Sequence, residues 1–129
     1  MVFGLIQKRL KYSTTTVRIN GRRIRLLIAD TMLKRAIGLM YRESIEPGTG
    51  MLFRFRSSGK YGIWMRNMRF PIDVIWIDKQ KVVSVEANLK NRDGKIHYPT
   101  RPADTVIELS AGSVKKYKIK EGKKIDLKG

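Results

Sequence analysis

Apolar and polar residues alternate in short runs along most of the chain, a pattern that is typical of β-strands. One stretch differs, because residues 31–42 place apolar side chains at Leu33, Ile37 and Met40, the spacing of an amphipathic helix. Many short strands with one inserted helix predict a mostly β fold, either a β-sandwich or a jelly-roll-like barrel. The predicted strands cover residues 15–19, 22–28, 51–55, 61–65, 71–78, 82–89, 105–112 and 123–127.

The first two predicted strands flank Asn20-Gly21, a dipeptide that favours a two-residue type I′ hairpin turn. The turn predicts a register in which Arg18 lies directly opposite Arg23, with Arg25 on the same outer face. Like charges opposite each other destabilise a sheet. Solvent, a carboxylate or a bound anion must therefore compensate this arginine pair.

The strand predicted over residues 71–78 is apolar at alternate positions on both faces, so we expect it to be buried on both sides. Asp73 lies at its entrance, where a carboxylate needs hydrogen bonds or a cation to remain charged. One interpretation is that Asp73 accepts backbone N–H bonds and anchors the loop before it. The other is a small-ligand pocket, since such sites combine apolar walls with a few polar groups. The residues predicted for that pocket are Trp64, Met65, Arg66, Asn67, Asp73 and Arg35.

The formal net charge of +17 adds a second candidate function. Residues 1–70 hold 15 basic and 3 acidic side chains, and such a field attracts nucleic acids and other polyanions. A charged surface that serves only solubility is the alternative. Phe53 and Phe55 alternate with arginines and are expected to point inward, which leaves Tyr61 and Trp64 as rings able to stack on bases. The predicted polyanion-binding residues are Arg18, Arg23, Arg25, Arg54 and Arg56.

Composition limits the other classes of protein. The 129 residues predict one domain, with residues 1–13 as a loosely attached N-terminal segment. The absence of cysteine and the single histidine, His97, exclude disulfides and the usual zinc sites, and no cofactor is expected.

The N-terminal apolar stretch is too short for a signal peptide or a membrane span, so a soluble, cytoplasmic protein is expected. The methionines fit core packing better than a copper site: Met32, Met40, Met51 and Met65.

Catalysis is the least favoured interpretation. A general acid/base pair needs two carboxylates facing one space, and Asp73 with Glu108 is the one pair to nominate. The sequence shows no activated nucleophile and no phosphate-cradling glycine loop. A non-enzymatic binding module is therefore the leading prediction.

Four ordered motifs carry a family resemblance: "LKRAIGLMYR", "GMLFRF", "IWMRNMRFPIDVIWID" and "VIELSAG", followed by "KEGKKI". Over residues 15–127 the chain resembles the family called domain of unknown function 192, or uncharacterised protein family 0127. The resemblance implies a compact, mostly β fold with a packed helix, and it brings no established activity. Met68 departs from the pattern, since many members carry threonine there, and we expect this chain to lack the export signal that many bacterial members carry. The matching positions are Gly38, Leu39, Met40, Gly50, Met51, Trp64, Met65, Asn67, Pro71, Asp73, Glu108 and Gly112.

Overall fold

A computed structural model of the chain describes residues 10–90 and 94–127, and the mostly β prediction is confirmed. The first nine residues of the predicted N-terminal segment lie outside the described residues. Two short helices accompany the strands, α1 (Met32–Ile37) and α2 (Ser113–Lys116). The strands are β1 (Thr14–Ile19), β2 (Arg22–Ala29), β3 (Thr49–Gly59), β4 (Ile63–Trp64), β5 (Ile72–Asp78), β6 (Lys81–Leu89), β7 (Ile96–His97) and β8 (Ala103–Ser110).

Six strands form one mixed sheet in the order β1-β2-β3-β8-β5-β6. All neighbours in it are antiparallel except β2 and β3, which run parallel. β4 and β7 form a separate two-stranded sheet. The described strands form an open sheet rather than a closed barrel. β5 lies between β8 and β6, and residues 72–77 are buried, as expected for a strand covered on both faces.

One side of the large sheet, here called the inner face, is covered by residues 113–127. Val114, Tyr117, Ile119, Ile125 and Leu127 pack there against a cluster contributed by all six strands. The covering segment also reaches both edges of the sheet, because Asp126 bridges to Arg18 of β1 and Lys124 bridges to Lys81 of β6. Two residues of extended chain span only about 7 Å. The free edges of β1 and β6 therefore approach each other, and residues 124–126 lie between them.

The opposite side, the outer face, is covered by α1, the turn after it and the β4–β7 sheet. Two polar contacts attach the small sheet region to the large sheet. The Trp76 indole N–H donates to the carbonyl oxygen of Tyr61 at 2.9 Å, and His97 Nδ1 lies 2.8 Å from Glu86 Oε2. The predicted surface loop around His97 thus contains β7, which the sequence pattern did not reveal.

The predicted helix over residues 31–42 is correct at its start and wrong at its end. Thr31 caps α1 by accepting a hydrogen bond from the Lys34 N–H at 3.1 Å. The helix ends at Ile37 because Gly38 adopts φ 51°, ψ −130°, a conformation that favours glycine. The predicted apolar stripe is lost, so Met32 and Leu33 are exposed by 82% and 46%, and Met32 is not a core residue.

The predicted hairpin register is confirmed, with Arg18 directly opposite Arg23 and Thr16 opposite Arg25. Because this pair repels, we expect Arg23→Glu to raise the free energy of unfolding by about 0.5 kcal/mol. Urea denaturation at low salt measures the change. Arg22→Glu is the matched control, since Arg22 lies opposite Ile19 and gains no cross-strand partner. An equal gain in both variants would mean that net charge, not the pair, sets the effect.

Candidate functional sites on the two faces of the sheet

Asp73 lies on the inner face and is fully buried. One carboxylate oxygen accepts a hydrogen bond from the Asn88 N–H at 2.8 Å. The other accepts from the N–H groups of Gly112 at 3.1 Å and Val114 at 2.8 Å. Gly112 is the N-cap of α2 and has no side chain that could accept from the free N–H groups at the start of the helix. The Asp73 carboxylate, which belongs to β5, caps the helix instead. Asp73 thus joins β5, the end of β6 and α2, rather than the loop before β5.

The structure divides the six residues of the predicted ligand pocket among three places. Asp73 is on the inner face, whereas Arg66, Asn67 and the exposed Trp64 lie on the outer side and Met65 is buried beneath them. Arg35 lies apart from both groups. Its guanidinium donates a hydrogen bond to the Arg54 carbonyl oxygen at 3.3 Å and lies over the Phe55 ring. The polar anchor proposed for the pocket is therefore engaged elsewhere, with backbone N–H groups.

Asp73 and Glu108 do not form an acid/base pair. Across β5 and β8, Asp73 lies opposite Leu109 and Glu108 lies opposite Val74. Leu109 belongs to the inner cluster and Val74 to the outer cluster, so the two carboxyl groups are on opposite faces of the sheet. A two-carboxylate mechanism needs both groups to reach one substrate, and the intervening sheet prevents this.

Glu108 is buried on the outer face beneath the end of α1. Its neighbours there are apolar, since Met51 of β3 and Val74 of β5 lie directly opposite it. Gly38 lies so close that a Cβ added to it would be 3.8 Å from Glu108 Oε1. Burial raises the pKa of Glu108 from 4.5 to about 8. The glycine at position 38 lets the backbone approach both Glu108 and the Phe53 ring. Glu108 is therefore expected to be largely protonated near neutral pH.

The five arginines predicted to bind polyanions lie on different surfaces. Arg18, Arg23 and Arg25 are exposed on the outer face of the β1–β2 hairpin. Arg54 lies opposite Thr105 on the inner-face side and borders an open cleft of about 470 Å³ with Lys79 and Asp104. Arg56 is exposed beyond it, where the register of β3 is irregular. The first three arginines thus form one surface, to which Arg54 does not belong.

The outer face continues into a basic group that the sequence did not reveal. The Tyr12 ring, packed beside the outer cluster, has Lys34 Nζ 5.3 Å and the Arg42 guanidinium carbon 5.7 Å from its centroid. The Tyr12 hydroxyl and Arg42 Nε are buried without a hydrogen-bond partner among the described residues. Burial raises the pKa of Tyr12, and Arg42 opposes this effect. No sequence signal could have found this group, because its members are joined only through the fold.

Ion pairs are few in the part of the chain that the structure describes. Lys34 lies 4.0 Å from Asp30, and Arg69 contacts Glu43. No described carboxylate lies within 4.0 Å of the Arg18, Arg23 or Arg25 guanidinium groups, although Asp126 bridges to Arg18 at the edge of β1. In residues 10–90 and 94–127, no three His, Asp or Glu side chains converge as metal ligands would. Over the same residues, no helix is long and apolar enough to cross a membrane.

The fold and these surfaces define a mostly β protein with one six-stranded mixed sheet, a separate two-stranded sheet and arginines exposed on the outer face. The chain belongs to the DUF192 family, described as Uncharacterized ACR, whose profile matches residues 15–127. One curated relative, UPF0127 protein TK1120 of Thermococcus kodakarensis, is 30% identical over 96 residues. That match covers 74% of this chain and only 59% of the relative.

Two solved structures share the fold over most of their length. One, from Sinorhizobium meliloti 1021, is described as a "putative transcription regulator"; it has a TM-score of 0.86 and 28% identity, covering 92% of this chain and 96% of that one. The other is a protein of unknown function from Novosphingobium aromaticivorans DSM 12444, with a TM-score of 0.80 and 28% identity. Its match covers 91% of this chain and 86% of that one.

Proposed function

We propose that this protein binds polyanions, and nucleic acid in particular, through the basic outer face. The observation that carries the proposal is the placement of Arg18, Arg23 and Arg25 side by side on the exposed outer face. Asp126 bridges to Arg18 at the edge of β1, but no described carboxylate lies within 4.0 Å of the three guanidinium groups. A cross-strand arginine pair weakens the free protein, and a phosphate group bound between the two would reverse that repulsion. Guanidinium groups suit this role because they bind phosphate oxygens in a bidentate manner.

Two further observations support the proposal. Lys34 and Arg42, both beside the Tyr12 ring, extend the positive charge beyond the hairpin, with the charge of Lys34 partly offset by Asp30 at 4.0 Å. The formal charge of +17 would draw polyanions toward the protein at a distance. The description of the Sinorhizobium protein as a "putative transcription regulator" is consistent with contact to nucleic acid. We also propose a cytoplasmic location.

The test compares two triple variants that lose the same charge from different places. In one variant Arg18, Arg23 and Arg25 become glutamine; in the other, the exposed Lys115, Lys116 and Lys120 do. Fluorescence anisotropy of labelled oligonucleotides across a salt series measures both. We expect the affinity of the arginine variant to fall at least about tenfold. The slope of the logarithm of affinity against the logarithm of salt concentration should become shallower by about 3 in that variant. The lysine variant should lose less than about threefold in affinity.

Equal losses in the two variants would show that binding follows net charge and would contradict the outer face as the site. A larger loss in the lysine variant would move the site to α2 and the segment after it. The absence of binding to any nucleic acid in the unmodified protein near 0.15 M salt would refute the proposed function itself.

A further inference from the structure

Trp64 is exposed in a way that packing does not explain. It lies in the two-residue strand β4, opposite Ile96, and 53% of its surface is accessible. Trp76, the other tryptophan, is completely buried. The Arg66 guanidinium carbon lies 5.1 Å from the centroid of the Trp64 ring. A large aromatic ring left in water next to a cation is the arrangement that proteins use to stack on nucleic-acid bases.

The surroundings of Trp64 extend this surface. Ile96 and Tyr98 are also exposed, by 49% and 56%. Both side chains pack against Gly62, where an added Cβ would lie 2.5 Å from Ile96 Cγ2 and 2.8 Å from Tyr98 Cε1. Because Gly62 has no side chain, Ile96 and Tyr98 can pack directly against the backbone next to β4. The result is an aromatic and aliphatic platform on the β4–β7 sheet.

A chain of contacts connects this platform to the basic group around Tyr12 on the outer face. Arg42 lies over Tyr12, and the neighbouring Tyr41 N–H donates to the Asn67 carbonyl oxygen at 3.0 Å. Asn67 follows Arg66, which lies over Trp64. Arg42 and Arg66 thus carry positive charge between the platform and Tyr12, which lies just before β1 at the end of the hairpin away from its turn. Tyr61 takes no part in the platform, because its ring is stacked on Phe55 at 3.7 Å.

We propose that the polyanion is single-stranded nucleic acid, whose phosphates contact the outer-face arginines while a base stacks on Trp64. This inference rests on the proposed function and narrows it to one class of partner. Bases in a duplex are already stacked on one another and cannot cover an aromatic ring, whereas unstacked bases can. A polyanion without bases would use the arginines alone.

The experiment compares two ligands with the same charge. One is an oligothymidine of about ten nucleotides, and the other is an abasic phosphodiester chain of the same length. We expect the oligothymidine to bind about 5- to 100-fold more tightly, and we expect Trp64→Ala to remove most of that difference while leaving abasic binding unchanged. Trp64→Phe, which keeps a stacking ring, should retain most of it.

Tryptophan fluorescence gives a second reading on the same proteins. Stacking should quench the emission of Trp64 on addition of oligothymidine, but not on addition of the abasic chain, and Trp64→Phe should abolish the quenching because Trp76 is buried. Sedimentation of the free protein completes the test. A dimer that Trp64→Ala dissociates would assign the platform to a second copy of the chain and overturn the inference.

The outcomes separate the two proposals. If both ligands bind equally and the outer-face arginines are required, the proposed function holds and the single-strand inference fails. If neither ligand binds near 0.15 M salt, the proposed function fails first, and the single-strand inference fails with it.

Discussion

Replacing Asp73 with asparagine is expected to lower the free energy of unfolding by about 3 to 5 kcal/mol. Asparagine keeps the shape of the side chain but exchanges one acceptor oxygen for an NH₂ group. Three backbone N–H groups converge on the carboxylate, so the substitution places a donor against a donor and leaves buried N–H groups unpaired. Urea denaturation at neutral pH measures the loss.

Asp78→Asn is the matched control for this prediction. Asp78 ends the same strand, is only partly buried and accepts a hydrogen bond from the exposed Ser58 hydroxyl. Its substitution should cost less than about 1 kcal/mol. If Asp73→Asn cost equally little, the capping role of Asp73 would be wrong.

Glu108→Gln is expected to stabilise the protein at alkaline pH and to change little near pH 4.5. Burial raises the pKa of Glu108 from 4.5 to about 8, so between these values the folded protein holds a proton that the unfolded chain has released. Stability is therefore lost as pH rises through this window, by up to about 1.4 kcal/mol per pH unit. Glutamine resembles the protonated side chain and does not titrate.

Urea denaturation at several pH values between 4 and 9 tests this prediction. Above pH 8 the free energy of unfolding of the Glu108→Gln variant should exceed that of the unmodified protein by several kcal/mol, on the order of 5. Glu46→Gln is the control, because Glu46 is exposed and should not alter the pH dependence. Parallel pH curves for the Glu108→Gln variant and the unmodified protein would show that Glu108 is ionised in the folded state.

Local patterns predicted the features of the fold that depend on adjacent residues. The Asn20-Gly21 turn fixed the register of β1 and β2, including the pairing of Arg18 with Arg23. The double-sided apolar pattern of residues 72–77 predicted their burial. Both features follow from turn geometry and the two-residue period of a strand, which need no knowledge of the rest of the chain.

Features set by distant partners could not be predicted in this way. The donors to Asp73 come from residues 88, 112 and 114, which the fold brings together. The separation of Asp73 from Glu108 depends on the register of β5 against β8. The length of α1 depends on Gly38, whose conformation allows the backbone to approach Phe53. Sequence periodicity extended the helix past this residue because it cannot include such contacts.

The bridges made by Lys124 and Asp126 have a consequence for how the chain folds during synthesis. Asp126 follows Arg18 by 108 residues, so at about 5 to 20 residues per second the ribosome needs roughly 5 to 20 seconds to supply it. During this interval the free edge of β1, on the side away from β2, has no Asp126 bridge. An uncovered strand edge is a template for pairing with other chains. The nascent protein is therefore most vulnerable to aggregation before residue 126 leaves the ribosome, and the basic residues of the β1–β2 hairpin would help to keep such chains apart.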